Sequence, residues 1–96
     1  MPVLRGKVAW ITGGGAGIGL AGAIALAREG AQVVISGRTK QSLDSGLTEA
    51  KKAGSVEAVL LDVKDRAAVA KVAADIEKRH GRIDILVNSE IGRAHV

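Results

Sequence analysis

Residues 7–19 read Lys-Val-Ala-Trp-Ile-Thr-Gly-Gly-Gly-Ala-Gly-Ile-Gly. An apolar run, Val8 to Ile11, enters a glycine-rich turn, and a stretch rich in Ala and Gly follows from Gly17. The pattern predicts strand, turn, helix. A helix beginning near Gly17 presents unpaired backbone N–H groups and the positive end of its dipole to the turn. Glycines let a phosphate approach that end where a Cβ would block it. A tight turn could also use glycines for backbone angles alone. The density of glycine argues against that reading, because each one costs backbone entropy. The stretch therefore predicts a phosphate-bearing cofactor.

Outward from this turn, apolar runs and helical stretches alternate. Lys7 to Thr12 is the first expected strand and Gly17 to Gly30 the first helix, with Ala21, Gly22 and Ala25 expected to approach the sheet. Gln32 to Ser36 follows as a strand centred on Val33-Val34-Ile35. The next helix is capped by Thr39 or Ser42, places Leu43, Leu47 and Ala50 on one face, and stops at Gly54. Val56 to Leu61 is the third strand, and Asp62 to Asp65 opens a helix with Val69, Val72, Ala73 and Ile76 as its buried stripe. That helix ends at Gly81, and Ile83 to Val87 is the fourth strand. Such alternation implies a parallel sheet with right-handed crossovers.

Composition excludes several function classes. The 96 residues are 47% hydrophobic and 25% charged, which is globular and fits one small domain or a piece of a larger one. Trp10 is the sole aromatic residue, so Val, Ile, Leu and Ala must build the core. The net charge of +4 is spread over helices and loops with no aromatic platform beside it, which argues against nucleic acid. Without cysteine there is no disulfide or thiolate metal site, and His80 and His95 are too isolated to form a metal site. No apolar run approaches the ~20 residues that span a bilayer, and Met1 to Lys7 is not followed by a leader-like stretch, so a cytoplasmic setting is expected.

The cofactor narrows further. A P-loop needs Gly-Lys-Ser/Thr after its glycines, and Gly19-Leu20-Ala21 lacks it. An NAD or S-adenosylmethionine site usually places a carboxylate at the end of the second strand, on the ribose hydroxyls. Here that region is Ser36-Gly37-Arg38-Thr39. Arg38 is either a solvated loop arginine or the partner of a 2′-phosphate that a carboxylate would repel. The second reading is favoured, and with it NADP over NAD.

These motifs together resemble the classical short-chain dehydrogenase/reductase family over residues 6 to 88. Thr12-Gly13-x-x-x-Gly17-x-Gly19 is similar to its glycine motif, and Leu61-Asp62-Val63 to its adenine-contacting segment. Asp84-Ile85-Leu86-Val87-Asn88 is similar to the start of its Asn-Asn-Ala-Gly motif. The resemblance implies a Rossmann-like three-layer α/β/α fold with a partial parallel sheet of about four strands, in the order 3-2-1-4, and three helices. It implies that Gly13, Gly17 and Gly19 shape the pyrophosphate turn and that Ile18 offers its backbone to the phosphates, with Thr12 and Gly15 of the same loop also expected to bind the cofactor. Asp62 would accept from the adenine amino group, or alternatively cap the third helix. Val63 would lie beside the adenine. Asn88 would line the cleft near the ribose, or only tie loops together.

The resemblance then stops. Ser89, Glu90 and Ile91 stand where Asn-Ala-Gly would complete the motif. The family's catalytic Ser, Tyr and Lys lie further downstream, and this chain contains no tyrosine. Residues 1–88 are thus read as the N-terminal part of an NAD(P)-binding domain with no catalytic residue, and 89–96 as a tail outside the pattern. Ile91 to Val96 back-translates as ATC GGA AGA GCA CAC GTC, the start of a common sequencing adapter. With Glu90 as GAG the match begins inside that codon, and the source nucleotides would test it. The parent enzyme is expected to move a hydride between NADP(H) and a carbonyl or alcohol, as a homo-oligomer whose usual interface this chain lacks. The rival readings are a non-catalytic, redox-sensing nucleotide module and a fragment with no independent function.

Overall fold

The computed structural model describes residues 3–89. Its elements are β1 (Val8–Thr12), α1 (Gly17–Arg28), β2 (Gln32–Gly37), α2 (Lys40–Lys51), β3 (Val56–Leu60), α3 (Arg66–His80) and β4 (Ile85–Asn88). The four strands form one parallel sheet in the order β3-β2-β1-β4, as expected. β1 is the interior strand about which the order reverses. It pairs with β2 from Val8↔Gln32 to Thr12↔Ser36, and with β4 from Ala9↔Ile85 to Thr12↔Asn88.

Both faces of β1 and β2 are covered, which explains their continuous apolar runs. Ala9, Ile11, Val33 and Ile35 pack with Ala23 and Ala27 of α1 and with Leu43 and Ala50 of α2. The alternate residues Val8, Trp10 and Val34 pack with Leu61 and with Ile76 of α3. The Trp10 indole N–H donates to Ser36 Oγ at 3.0 Å, so the one aromatic residue is buried with its polar atom satisfied. Each fully buried Ile of this core (Ile11, Ile35, Ile76) contributes about 2 kcal/mol by burial.

The structure corrects four local expectations. In α1 the buried residues are Gly19, Ala23 and Ala27, while Ala21 and Ala25 are exposed. The helix is apolar almost all round, so spacing alone did not select its face. α3 is capped by Asp65, whose Oδ1 accepts from Ala68 N at 3.0 Å, and not by Asp62. Asp62 Oδ1 accepts from Lys64 N at 3.0 Å and so shapes the preceding turn.

Regular β4 pairing begins at Ile85 rather than Ile83. The Val8 N–H donates to Asp84 Oδ2 at 2.8 Å, and the side chain thus takes a backbone donor at the strand's start. Gly54 stands beyond α2 for packing: a Cβ there would lie 2.5 Å from Ala27 O at the end of α1. Gly81, by contrast, caps α3 in the left-handed region at φ +87°, as its position predicts.

Candidate functional site

Parallel strands bring their C-terminal ends to one edge, and a ligand crevice opens where the strand order reverses. Here that edge carries the loop after β1, the β2–α2 turn, the β3–α3 turn and the end of β4. The residues singled out from the sequence sit along it.

The glycine loop is tied to its neighbours before any ligand is considered. Gly13 N and Gly14 N both donate to Ser36 O, at 2.7 and 3.2 Å. Gly13 has φ +74° and Gly17 φ +60°, a left-handed region that favours glycine. The other glycines are there for space. A Cβ on Gly14 would lie 2.6 Å from Ile35 Cγ2, and one on Gly15 3.1 Å from Leu43 Cα. A Cβ on Gly19 would run into Gly13 O and Ser89 Oγ. Gly46 of α2 meets the loop from the far side, with its own Cβ position 2.5 Å from Gly15 O. Periodicity could not reveal Gly46, because a glycine inside a helical pattern signals only a lowered propensity.

α1 opens without a side-chain cap. Ala16 occupies the N-cap position, and no acidic residue lies in the first turn. The first intrahelical bond there is Leu20 N to Ala16 O at 3.3 Å. The preceding N–H groups and the positive end of the helix dipole are therefore left for an external acceptor. Ile18, in this turn, is 81% exposed.

Two clefts lie along this edge of the sheet. One, of ≈ 180 Å³, is lined by Gly13, Gly15, Ala16, Gly37, Arg38 and Thr39, with Ser42 and Leu43 of α2. The other, of ≈ 470 Å³, is lined by Arg38, Leu60, Leu61, Asp62, Asp65 and Ala68. Arg38 belongs to both. Its side chain makes no ion pair or hydrogen bond among the described residues, and no carboxylate lines the cleft nearest the loop.

Gly13, Gly15, Arg38 and Asp62 thus come together around the clefts, whereas Thr12, Gly17, Ile18, Gly19, Val63 and Asn88 line neither. Thr12 is 6% exposed, and its hydroxyl donates to Asn88 Oδ1 at 2.9 Å, joining β1 to β4 below the loop. Ala16, Leu60 and Ala68 line the clefts without having been singled out, since their residue types carry no chemical signal.

At the opposite end of the sheet, Asp84 holds β4 to β1. Its carboxyl lies below the ordinary carboxylate value, chiefly because the Val8 backbone N–H bonds to it and secondarily because of Arg82, while desolvation opposes both. Arg82 donates to Asp84 Oδ1 at 2.9 Å.

A parallel sheet reversed about β1, with an uncapped helix behind a glycine loop, defines a Rossmann-like α/β protein. The chain belongs to the short chain dehydrogenase family, whose pattern matches residues 7–90. It is 41% identical over 87 residues to the 3-oxoacyl-[acyl-carrier-protein] reductase of Thermotoga maritima, covering 90% of this chain and 35% of that one. A short-chain dehydrogenase/reductase structure from Burkholderia xenovorans superposes with a TM-score of 0.84 at 44% identity, covering 90% of this chain and 36% of that one. An NAD+-bound xylitol dehydrogenase superposes with a TM-score of 0.83 at 28% identity, covering 88% and 33%. The chain spans about a third of the length of the curated relatives it matches. Among the described residues no helix is long and apolar enough to cross a membrane, and no cluster of three metal-ligating side chains occurs.

Proposed function

We propose that this chain is the cofactor-binding, N-terminal portion of an NADP-dependent short-chain dehydrogenase/reductase. The observation that carries the reading is Arg38, an exposed cation shared by the two clefts, with no acidic residue at the end of β2. The residues fit a nicotinamide dinucleotide on two counts. The uncapped first turn of α1 offers N–H donors for a pyrophosphate. The cleft beside Asp62 is lined by apolar Leu60, Leu61 and Ala68, suited to a flat heterocycle.

In this reading Gly13, Gly15, Gly17 and Gly19 shape the phosphate turn, and Ile18 contributes backbone. Asp62 and Val63 stand beside the adenine, and Asn88, held by Thr12, borders the ribose. Arg38 pairs with the 2′-phosphate, where its guanidinium offers charge-assisted hydrogen bonds. When bound, the cofactor supplies or accepts the hydride, and the protein's part is to hold it.

The parent enzyme would reduce a carbonyl or oxidise an alcohol in the cytoplasm. No proton donor is assigned to this chain, which has no tyrosine, so turnover by the chain alone is expected to be nil. The test is calorimetric titration with NADP and NAD. NADP is expected to bind at least about tenfold more tightly, and Arg38→Asp to abolish or reverse the preference. An unchanged preference in Arg38→Asp removes Arg38 from the 2′-phosphate.

A further inference from the structure

Ser89 does more than end the fourth strand. Its N–H donates to Thr12 O at 3.1 Å, continuing the β1–β4 pairing. Its hydroxyl then reaches past the sheet into the glycine loop, 2.6 Å from Thr12 O and 3.1 Å from Gly13 O. A hydroxyl carries one proton, so the shorter contact is the main bond and the longer one its shared partner. The same oxygen, together with Gly13 O, occupies the space that a Cβ on Gly19 would need. One side chain therefore touches the end of β1, the first loop residue and the first turn of α1.

We propose that Ser89 is a positioning residue: its hydroxyl sets the glycine loop against α1 and so orients the N–H groups that receive a phosphate. The junction has three interlocked parts, namely the Ser89 hydroxyl, the Gly13 carbonyl and the bare Cα of Gly19. Loss of the hydroxyl frees the Gly13 carbonyl from its partner just after β4 and opens a gap beside Gly19. The loop then samples orientations in which its N–H groups no longer converge. The sheet itself keeps its pairing, because Ser89 N and the Thr12–Asn88 bond are untouched. Affinity for a phosphate-bearing ligand falls with the loop's order, since the ordering cost is then met on binding. This consequence for binding rests on the cofactor reading above, whereas the effect on the loop does not.

The experiment is amide hydrogen exchange by NMR on the whole chain without ligand, paired with calorimetric titration of NADP, for the wild type and three variants. Ser89→Ala removes the hydroxyl. Ser89→Thr and Ser89→Val share a shape and differ in that hydroxyl, so their comparison separates hydrogen bonding from bulk.

The expected result is exchange of the hydrogen-bonded Gly13, Gly14 and Leu20 amides about tenfold faster in Ser89→Ala than in wild type, and about tenfold faster in Ser89→Val than in Ser89→Thr. Exchange at Trp10 and Val34 should stay as in wild type. NADP affinity is expected to fall about tenfold in Ser89→Ala. Loop exchange unchanged in Ser89→Ala overturns the proposal, whether or not NADP binds. Faster exchange at Trp10 and Val34 to the same degree also overturns it, because the hydroxyl would then serve global stability. Faster loop exchange with unchanged NADP affinity overturns the link to binding. Faster loop exchange in a chain whose wild type binds no NADP upholds the positioning role and rejects the cofactor reading instead.

Discussion

Single residues here act through the space they leave empty as much as through their chemistry. Gly46 and Gly15 face each other so closely that a Cβ on Gly46 would lie 2.5 Å from Gly15 O and 2.8 Å from Gly15 Cα. Backbone cannot swing aside as a long side chain can, so Gly46→Ala should cost about 1–3 kcal/mol in urea unfolding. A loss below about 0.5 kcal/mol, the range of a neutral surface change, would contradict the packing described. The loop glycines are legible in the sequence because they cluster after a strand. Gly46 is not, because its partner lies across a helix interface that no local pattern encodes.

Asp84 illustrates a different residue-scale effect. Its folded carboxyl is held below the ordinary value of 3.8, first by the Val8 N–H and then by Arg82. A carboxylate with a lowered folded pKa stabilises the fold above its unfolded pKa and loses that contribution as pH falls through the folded value. Asp84→Asn should therefore lower the urea midpoint at pH 7, and the gap to wild type should narrow below about pH 4. A gap that stays constant from pH 7 to the acid limit would speak against this role.

At the scale of elements, the chain order of strands and helices was legible because each apolar run is bounded by Gly or by charged residues. The helix faces were less so. The buried face of α2 follows the Leu43, Leu47, Ala50 spacing, with Leu43 and Ala50 buried and Leu47 half-buried. α1 offers Ala, Gly, Leu and Ile on every side, so only tertiary packing chose Ala23 and Ala27. The start of α3 was ambiguous because Asp62 and Asp65 both suit an N-cap, and geometry selects Asp65. Asp65→Ala should cost about 1 kcal/mol, the usual loss for a capping side chain, and more than Asp62→Ala. The reverse order would move the cap to Asp62.

For the whole molecule, β4 is an exposed edge of the sheet. Leu86 is 62% exposed, opposite Trp10, and Ile85 and Val87 are half-buried. β4 pairs with β1, and no further described strand covers its other edge. Apolar side chains beside unpaired backbone groups invite association between copies. The thermal transition of the chain is expected to depend on protein concentration, with light scattering on heating, and Leu86→Lys should reduce both. A cooperative transition that is independent of concentration would contradict this.

The site shows the same division between what sequence carries and what only packing decides. The loop and Arg38 were identifiable from residue type and spacing, Asp62 only through the family resemblance, and the structure places them along one edge of the sheet. The link from Ser89 to Gly13 and Gly19 depends on β4 lying beside β1, which no single stretch of sequence announces. On the proposed function, this edge holds a nicotinamide dinucleotide. The most direct test is an NMR titration of the chain with NADP, following every backbone amide. Shifts are expected to centre on Gly13 to Leu20, with further changes at Arg38, Asp62, Val63 and Asn88. No saturable shifts, or shifts confined to the opposite end around Asp84, would contradict it.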